Sequence, residues 1–169
     1  VDFNTPDNQE GFMFRALNRG FVWSLAIAMA LLAAPSAHAG VDGDLRAALY
    51  TDEDAVGVGA GILTGVGNSR SWFFNPNVEA AFGDEGDVVS LNGDVHYDFA
   101  DTKDVTFWMG GGPAMVVTHP DGDGDSDTDA GLNLLTGLGD KDGSVRPYAQ
   151  IRGLISDENE VVLAGGIRF

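Results

Sequence analysis

The 169-residue sequence contains no cysteine, few cations and no long apolar run. Each shortage excludes something. Without cysteine there is no disulfide framework, no thiol chemistry and no Cys-ligated zinc site. Nine Lys and Arg against 26 Asp and Glu give a formal charge of −17. Nothing so acidic neutralises a phosphate backbone, so no nucleic-acid partner is expected. No stretch reaches the roughly 18 to 20 apolar residues that a membrane-crossing helix needs. The glycines of Gly57-Val58-Gly59-Ala60-Gly61 lack the last member of G-x-G-x-x-G, and no cofactor is expected.

What is present changes texture at Gly40. Arg15 and Arg19 precede an apolar run from Phe21 to Ala34, which Pro35-Ser36-Ala37-His38-Ala39 closes with a small-x-small ending. A positive start, a hydrophobic middle of about 7 to 15 residues and such an ending predict a cleavable signal helix. Residues 1–39 are therefore read as upstream residues and signal peptide, and 40–169 as the exported domain. Arg15 and Arg19 are the cations before Gly40, and Asp2, Asp7 and Glu10 the acids, so the exported part carries about −16.

From Gly40 onward, polar clusters punctuate the chain at residues 51–54, 66–70, 83–87, 100–104, 119–129, 140–144 and 156–160. They leave eight segments of the roughly 9 to 11 residues that a tilted membrane strand requires. The period is two, so the segments are strands. Val89, Leu91, Gly93, Val95, Tyr97 and Phe99 fall on one face; Ser90, Asn92, Asp94, His96 and Asp98 fall on the other. Phe74, Pro76, Val78, Ala80 and Phe82 alternate with Asn75, Asn77 and Glu79, and Pro147, Ala149 and Ile151 with Arg146, Tyr148, Gln150 and Arg152. Alternation alone leaves two solutions. A soluble lipocalin-like barrel hides the apolar face inside, whereas a membrane barrel turns it to lipid.

The polar face separates them. Arg46, Arg146, Arg152 and Arg168 lie in strand interiors, on the face that also carries Glu79, Asp94, His96, Asp98 and Gln150. A narrow lumen gives guanidinium a reason to be there, because enclosed charges must pair and arginine offers several donors in fixed geometry. These nine residues are the expected lumen network, filling an eight-strand interior that is only wide enough for side chains. The glycines of 57–61 are expected to leave room for bulky neighbours such as Trp108 or Tyr148.

With a signal peptide, eight amphipathic segments and a last strand Val161-Val162-Leu163-Ala164-Gly165-Gly166-Ile167-Arg168-Phe169, the sequence resembles small outer-membrane β-barrel proteins of the OmpA, OmpX and OmpW type. The resemblance implies an all-β, closed, eight-stranded antiparallel up-and-down transmembrane barrel in the bacterial outer membrane. It also implies that Val161, Leu163, Ile167 and Phe169 form the signal read by the barrel-assembly machinery. The expected partners are that machinery, outer-membrane lipid and lipopolysaccharide; a monomer is expected. The expected function is structural, in membrane integrity. A channel for small solutes or hydrophobic ligands is the alternative, with a soluble binder and a lipid A-modifying enzyme behind it.

By the same analogy both termini face the periplasm. Connections one, three, five and seven then point outward, and they hold 14 acids, from Asp52 to Glu160, without a Lys or Arg. Asp121, Asp123, Asp125, Asp127 and Asp129 form the densest run and are weak divalent-cation candidates. The run fails the EF-hand pattern, because Ser126 stands where the turn glycine belongs and Leu132 where the bidentate glutamate belongs. Asp94, His96 and Asp98 suggest metal or acid–base chemistry. Neighbours on one strand face are about 6 to 7 Å apart, which leaves a satisfied polar network as the simpler account. No catalytic residue is expected.

Overall fold

A computed structural model describes residues 40–68, 71–83, 86–101, 104–120 and 126–169. The expected signal helix lies outside the described residues. Eight strands follow one another in chain order: β1 (Val41–Tyr50), β2 (Ala55–Gly65), β3 (Trp72–Phe82), β4 (Gly86–Asp101), β5 (Val105–Pro120), β6 (Asp127–Asp140), β7 (Arg146–Ile155) and β8 (Glu160–Arg168). Each pairs antiparallel with the next, and β8 pairs with β1 to close the barrel. The closing seam runs from Asp44↔Arg168 to Tyr50↔Val162. Closure removes every sheet edge, which a barrel in hydrocarbon needs because no water is available to satisfy edge amides.

Val41 and Phe169 lie at one end of the barrel, called here the termini end; the turn of residues 51–54 lies at the far end. That turn is tight, and Asp54 takes a left-handed conformation there with φ 46°. Short polar side chains tolerate this region better than β-branched ones.

The strands overrun their apolar cores. Thr118 pairs with Asp127, and Asp87 with His119, so β4, β5 and β6 extend into residues that read as connections. A ladder needs only backbone groups, and nothing prevents polar side chains from riding on its wet end. Asp127 and Asp129 are thus strand residues of β6, a correction to their expected place in a loop. Asp121, Asp123 and Asp125 lie outside the described residues.

Side-chain facing follows the two-residue period. The largest outward groups include Leu49, Val58, Phe74, Leu91, Phe107, Met109, Leu134, Ile151 and Leu163, all exposed. Most of their neighbours in sequence point inward and are buried, as with Ala48 and Tyr50 beside Leu49. From Phe107 to Val117 the outward face of β5 advances about ten residues; at roughly 3.3 Å each and a tilt of about 40°, that is close to a 25 Å apolar band. Trp72, Tyr97, Phe99 and Phe107 make a continuous chain of ring contacts on the outside near the termini end, with centroids 5.0 to 6.3 Å apart. Aromatic rings gather at this level where apolar chains give way to polar headgroups.

Candidate functional site in the barrel lumen

The inward faces fill the lumen in three layers. The far layer is apolar: Ala48, Ala55, Ala81, Val88, Val116, Leu154 and Val162 pack together with the ring of Tyr50. The middle layer is polar. Near the termini end Trp108, Leu135 and Tyr148 form a second apolar cluster, with His96 and Arg168 against Trp108.

Glu79 on β3 is the hub of the middle layer, and its side chain is fully buried. Arg152 on β7 donates to it through both terminal nitrogens, at 2.8 Å to Oε1 and 2.6 Å to Oε2. Tyr50 adds its hydroxyl to Oε2 at 2.8 Å, and Arg46 on β1 reaches Oε1 at 3.3 Å. Arg46 also donates from Nε to Asp44 at 3.0 Å and from Nη2 to Asn75 at 2.7 Å. The parallel two-bond pairing of Arg152 with Glu79 fixes that guanidinium in direction as well as position. Around it runs an amide chain: Asn133 donates to Asn92 at 2.8 Å and Asp94 at 2.9 Å, Asn92 to Asn77 at 3.0 Å, and Asn77 to Asp94 at 3.2 Å.

Glycine makes the room. A Cβ at Gly59 would stand 2.5 Å from Glu79 Cγ, and one at Gly61 would stand 2.7 Å from Asn77 Cβ. The β2 glycines therefore seat Glu79 and Asn77, not Trp108 and Tyr148 as the sequence suggested. Those two rings lie against Gly137 and Gly166 instead.

The expected lumen residues are placed as follows. Arg46, Glu79, Asp94, His96, Gln150, Arg152 and Arg168 are buried. Gln150 accepts a long contact, 3.4 Å, from the Trp108 indole. Asp98 is partly exposed, with its Oδ1 3.6 Å from His96 Nε2. Arg146 stands at the rim, where it pairs with Asp42 outside the central cluster. Asp44 was missed in the sequence although it is fully buried. It accepts from Tyr148 at 2.8 Å as well as from Arg46, and it lies 3.6 Å from Arg168. Its signal was available, since Asp44 is two residues from Arg46 on the same face. Val161, Leu163 and Ile167 point outward; Phe169 follows β8, and its N–H donates to Gly43 at 3.0 Å.

The lumen also repairs its own backbone. The β2–β3 register sets Pro76 opposite Ile62, where proline has no N–H to give. The Asn75 side chain donates to the Ile62 carbonyl at 2.7 Å in its place. Asn75→Ala should therefore cost about 1–3 kcal/mol, more than loss of one surface polar group, because both Ile62 and Arg46 lose a partner. Urea titration of the detergent-folded barrel checks the value, and restoring a backbone donor with Pro76→Ala should recover part of it.

No protein-family model matches the sequence, and no curated protein matches it. Among solved structures, Neisserial surface protein A (NspA) is similar at 17% identity and TM-score 0.56, covering 76% of this chain and 94% of that one. The fold is that of a small outer-membrane β-barrel. Ail, the attachment invasion locus protein of Yersinia pestis, aligns at 15% identity and TM-score 0.49 over 77% of this chain and 97% of its own. A de novo designed transmembrane β-barrel aligns at 14% and 0.46, over 77% and 95%. On this small-barrel fold, a buried charged and amide layer crosses the lumen, and large apolar side chains such as Leu91, Leu134 and Ile151 face out. No group of three or more His, Asp or Glu placed to hold a metal ion occurs among the described residues.

Proposed function

We propose that this chain is an integral outer-membrane barrel protein whose role is structural, in the integrity of the membrane it spans, and whose lumen does not conduct. One observation carries the reading. The Glu79, Arg46 and Arg152 cluster bridges β3, β1 and β7 across the lumen, and the Val88, Val116, Leu154 and Val162 layer packs beyond it toward the far end, which supports a lumen without a through-path. An apolar exterior over a polar, hydrogen-bonded interior suits acyl chains as the surrounding solvent. Export by the segment before Gly40 agrees with this setting. So does insertion by the barrel-assembly machinery through Val161, Leu163, Ile167 and Phe169. Lipid and lipopolysaccharide are then the partners of the apolar belt, with the acidic connections turned outward.

Fractionation followed by heat-modifiable gel mobility tests the membrane assignment, since a closed barrel folded in detergent migrates differently from its boiled form. Planar-bilayer recording tests the sealed lumen. The expected result is a shift on boiling with no unitary conductance. Steady single-channel currents would favour the small-solute channel instead, and a detergent-independent soluble protein would remove both readings.

A further inference from the structure

The far mouth of the barrel holds a cavity of about 180 Å³ between the apolar layer and the turns. Val88, Val116 and Leu154, with the ring of Tyr50, form its floor. Asp52, Asp129, Glu158 and Glu160 stand around it, carried by the first turn, β6, the last turn and β8.

Glu160 sets this place apart. It is only 7% exposed, and it lines the cavity from the first residue of β8. Its Oε1 accepts the Asp52 N–H at 3.1 Å, a single neutral donor for a full negative charge. Among the described residues no Lys, Arg or His pairs with it. Its Oε2 receives no hydrogen bond among those residues and keeps open surface, in contrast to the sealed oxygens of Asp44 and Asp98. Glu79, equally buried, is met by two guanidiniums, and Asp94 is held by two side-chain amides. Glu160 has neither. The connections at this end supply no counter-charge, since residues 51–54, 83–87, 119–129 and 156–160 contain no Lys or Arg.

The chemistry of the lining selects the ligand. A buried carboxylate without a counter-charge is costly, and the acids at Asp52, Asp129 and Glu158 add to the demand for a cation. The described carboxylates include no group of three placed to ligate a metal ion, and an apolar floor offers a hydrated ion nothing. An organic cation uses both parts. A cavity of about 150 Å³ lined by apolar groups accepts benzene. The 180 Å³ here therefore admits a group of that size with its charged end turned to Glu160.

We infer that the far mouth is a binding site for a primary ammonium on a short aromatic or aliphatic stem, with the ammonium donating to Glu160 and the stem lying on Val88, Val116 and Leu154. This goes beyond the structural role proposed above and does not depend on it. Fractionation and conduction test that reading, and ligand binding at the mouth tests this one.

The experiment titrates benzylammonium into the wild-type barrel in a zwitterionic detergent and follows Val and Leu methyl groups by NMR. Benzyl alcohol serves as the neutral probe and methylammonium as the probe without a stem. Saturable shifts are expected at Val88, Val116 and Leu154, with outward Leu163 registering only partition into detergent. Benzyl alcohol should bind at least about tenfold more weakly, because it lacks the charge-assisted bond. Methylammonium should do likewise, because it buries no ring. Glu160→Gln keeps an acceptor for the Asp52 N–H and should weaken benzylammonium by a similar factor while retaining the heat-modifiable band. No saturable shift at the three floor residues would overturn the assignment, as would either control probe matching benzylammonium. Unchanged affinity in a folded Glu160→Gln barrel would contradict it equally. The three-probe comparison needs only the wild type, so it decides the question even if that variant fails to close.

Discussion

Replacing Glu79 with Leu is expected to destabilise the barrel by about 3–5 kcal/mol, because it leaves Arg152 and Arg46 buried beside an apolar group. The cost should come from the uncompensated charges and not from lost volume. The double variant Glu79→Leu with Arg152→Met removes the bidentate pair together and should recover a large part of the loss, since Arg46 keeps Asp44 and Asn75. Arg146→Ala is the control. Its pair with Asp42 is partly exposed at the rim, and exposed pairs are worth about 0–1 kcal/mol. Urea midpoints of the four proteins in one detergent read the series. A double variant as unstable as Glu79→Leu alone would show that packing, not charge pairing, holds this layer.

A methyl group at position 112 should be nearly as damaging. A Cβ at Gly112 would stand 2.0 Å from the Gly93 carbonyl oxygen on the neighbouring strand, and backbone cannot move aside as a flexible side chain can. Gly112→Ala is therefore expected to exceed the roughly 0.5–3 kcal/mol of an ordinary substitution, or to prevent closure, which appears as loss of the heat-modifiable band. Gly93 is its opposite. There the nearest atom to an added Cβ is Pro113 Cγ at 3.6 Å, an ordinary contact on the outer surface. Gly93→Ala should lie within about 1 kcal/mol of wild type on either side. The two glycines nearly face each other across one seam, so the contrast isolates the close approach from any general intolerance of β4 and β5.

The architecture was legible in the sequence because its signal is simple: a period of two, interrupted by polar clusters, repeated until the chain closes on itself. Strand ends were less legible. Asp127 and Asp129 read as loop because they are acidic, yet Thr118 and Val116 supply ladder partners for them. The inward face of β4 could be named from alternation. Which neighbours its Asp94 meets depends on the register that brings Asn77 and Asn133 beside it, and register is a property of paired strands. Asp44 illustrates the same gap. Its partners Tyr148 and Arg168 are about a hundred residues away in sequence and adjacent only once β8 closes on β1 and β7. The apolar far layer was hidden for another reason: small residues such as Ala48 on β1 and Ala55 on β2 give weak alternation, so those two strands offered little sign of facing.

The central claim is that the barrel is apolar outside and polar inside, and two tryptophans report on it directly. Trp72 is outward and 45% exposed, whereas Trp108 is fully buried in the lumen. In vesicles containing lipids brominated on their acyl chains, emission of the wild-type barrel should be strongly quenched. In Trp72→Phe, with Trp108 as the remaining barrel tryptophan, the quenching should nearly vanish. Undiminished quenching in Trp72→Phe would place Trp108 against lipid and contradict the account.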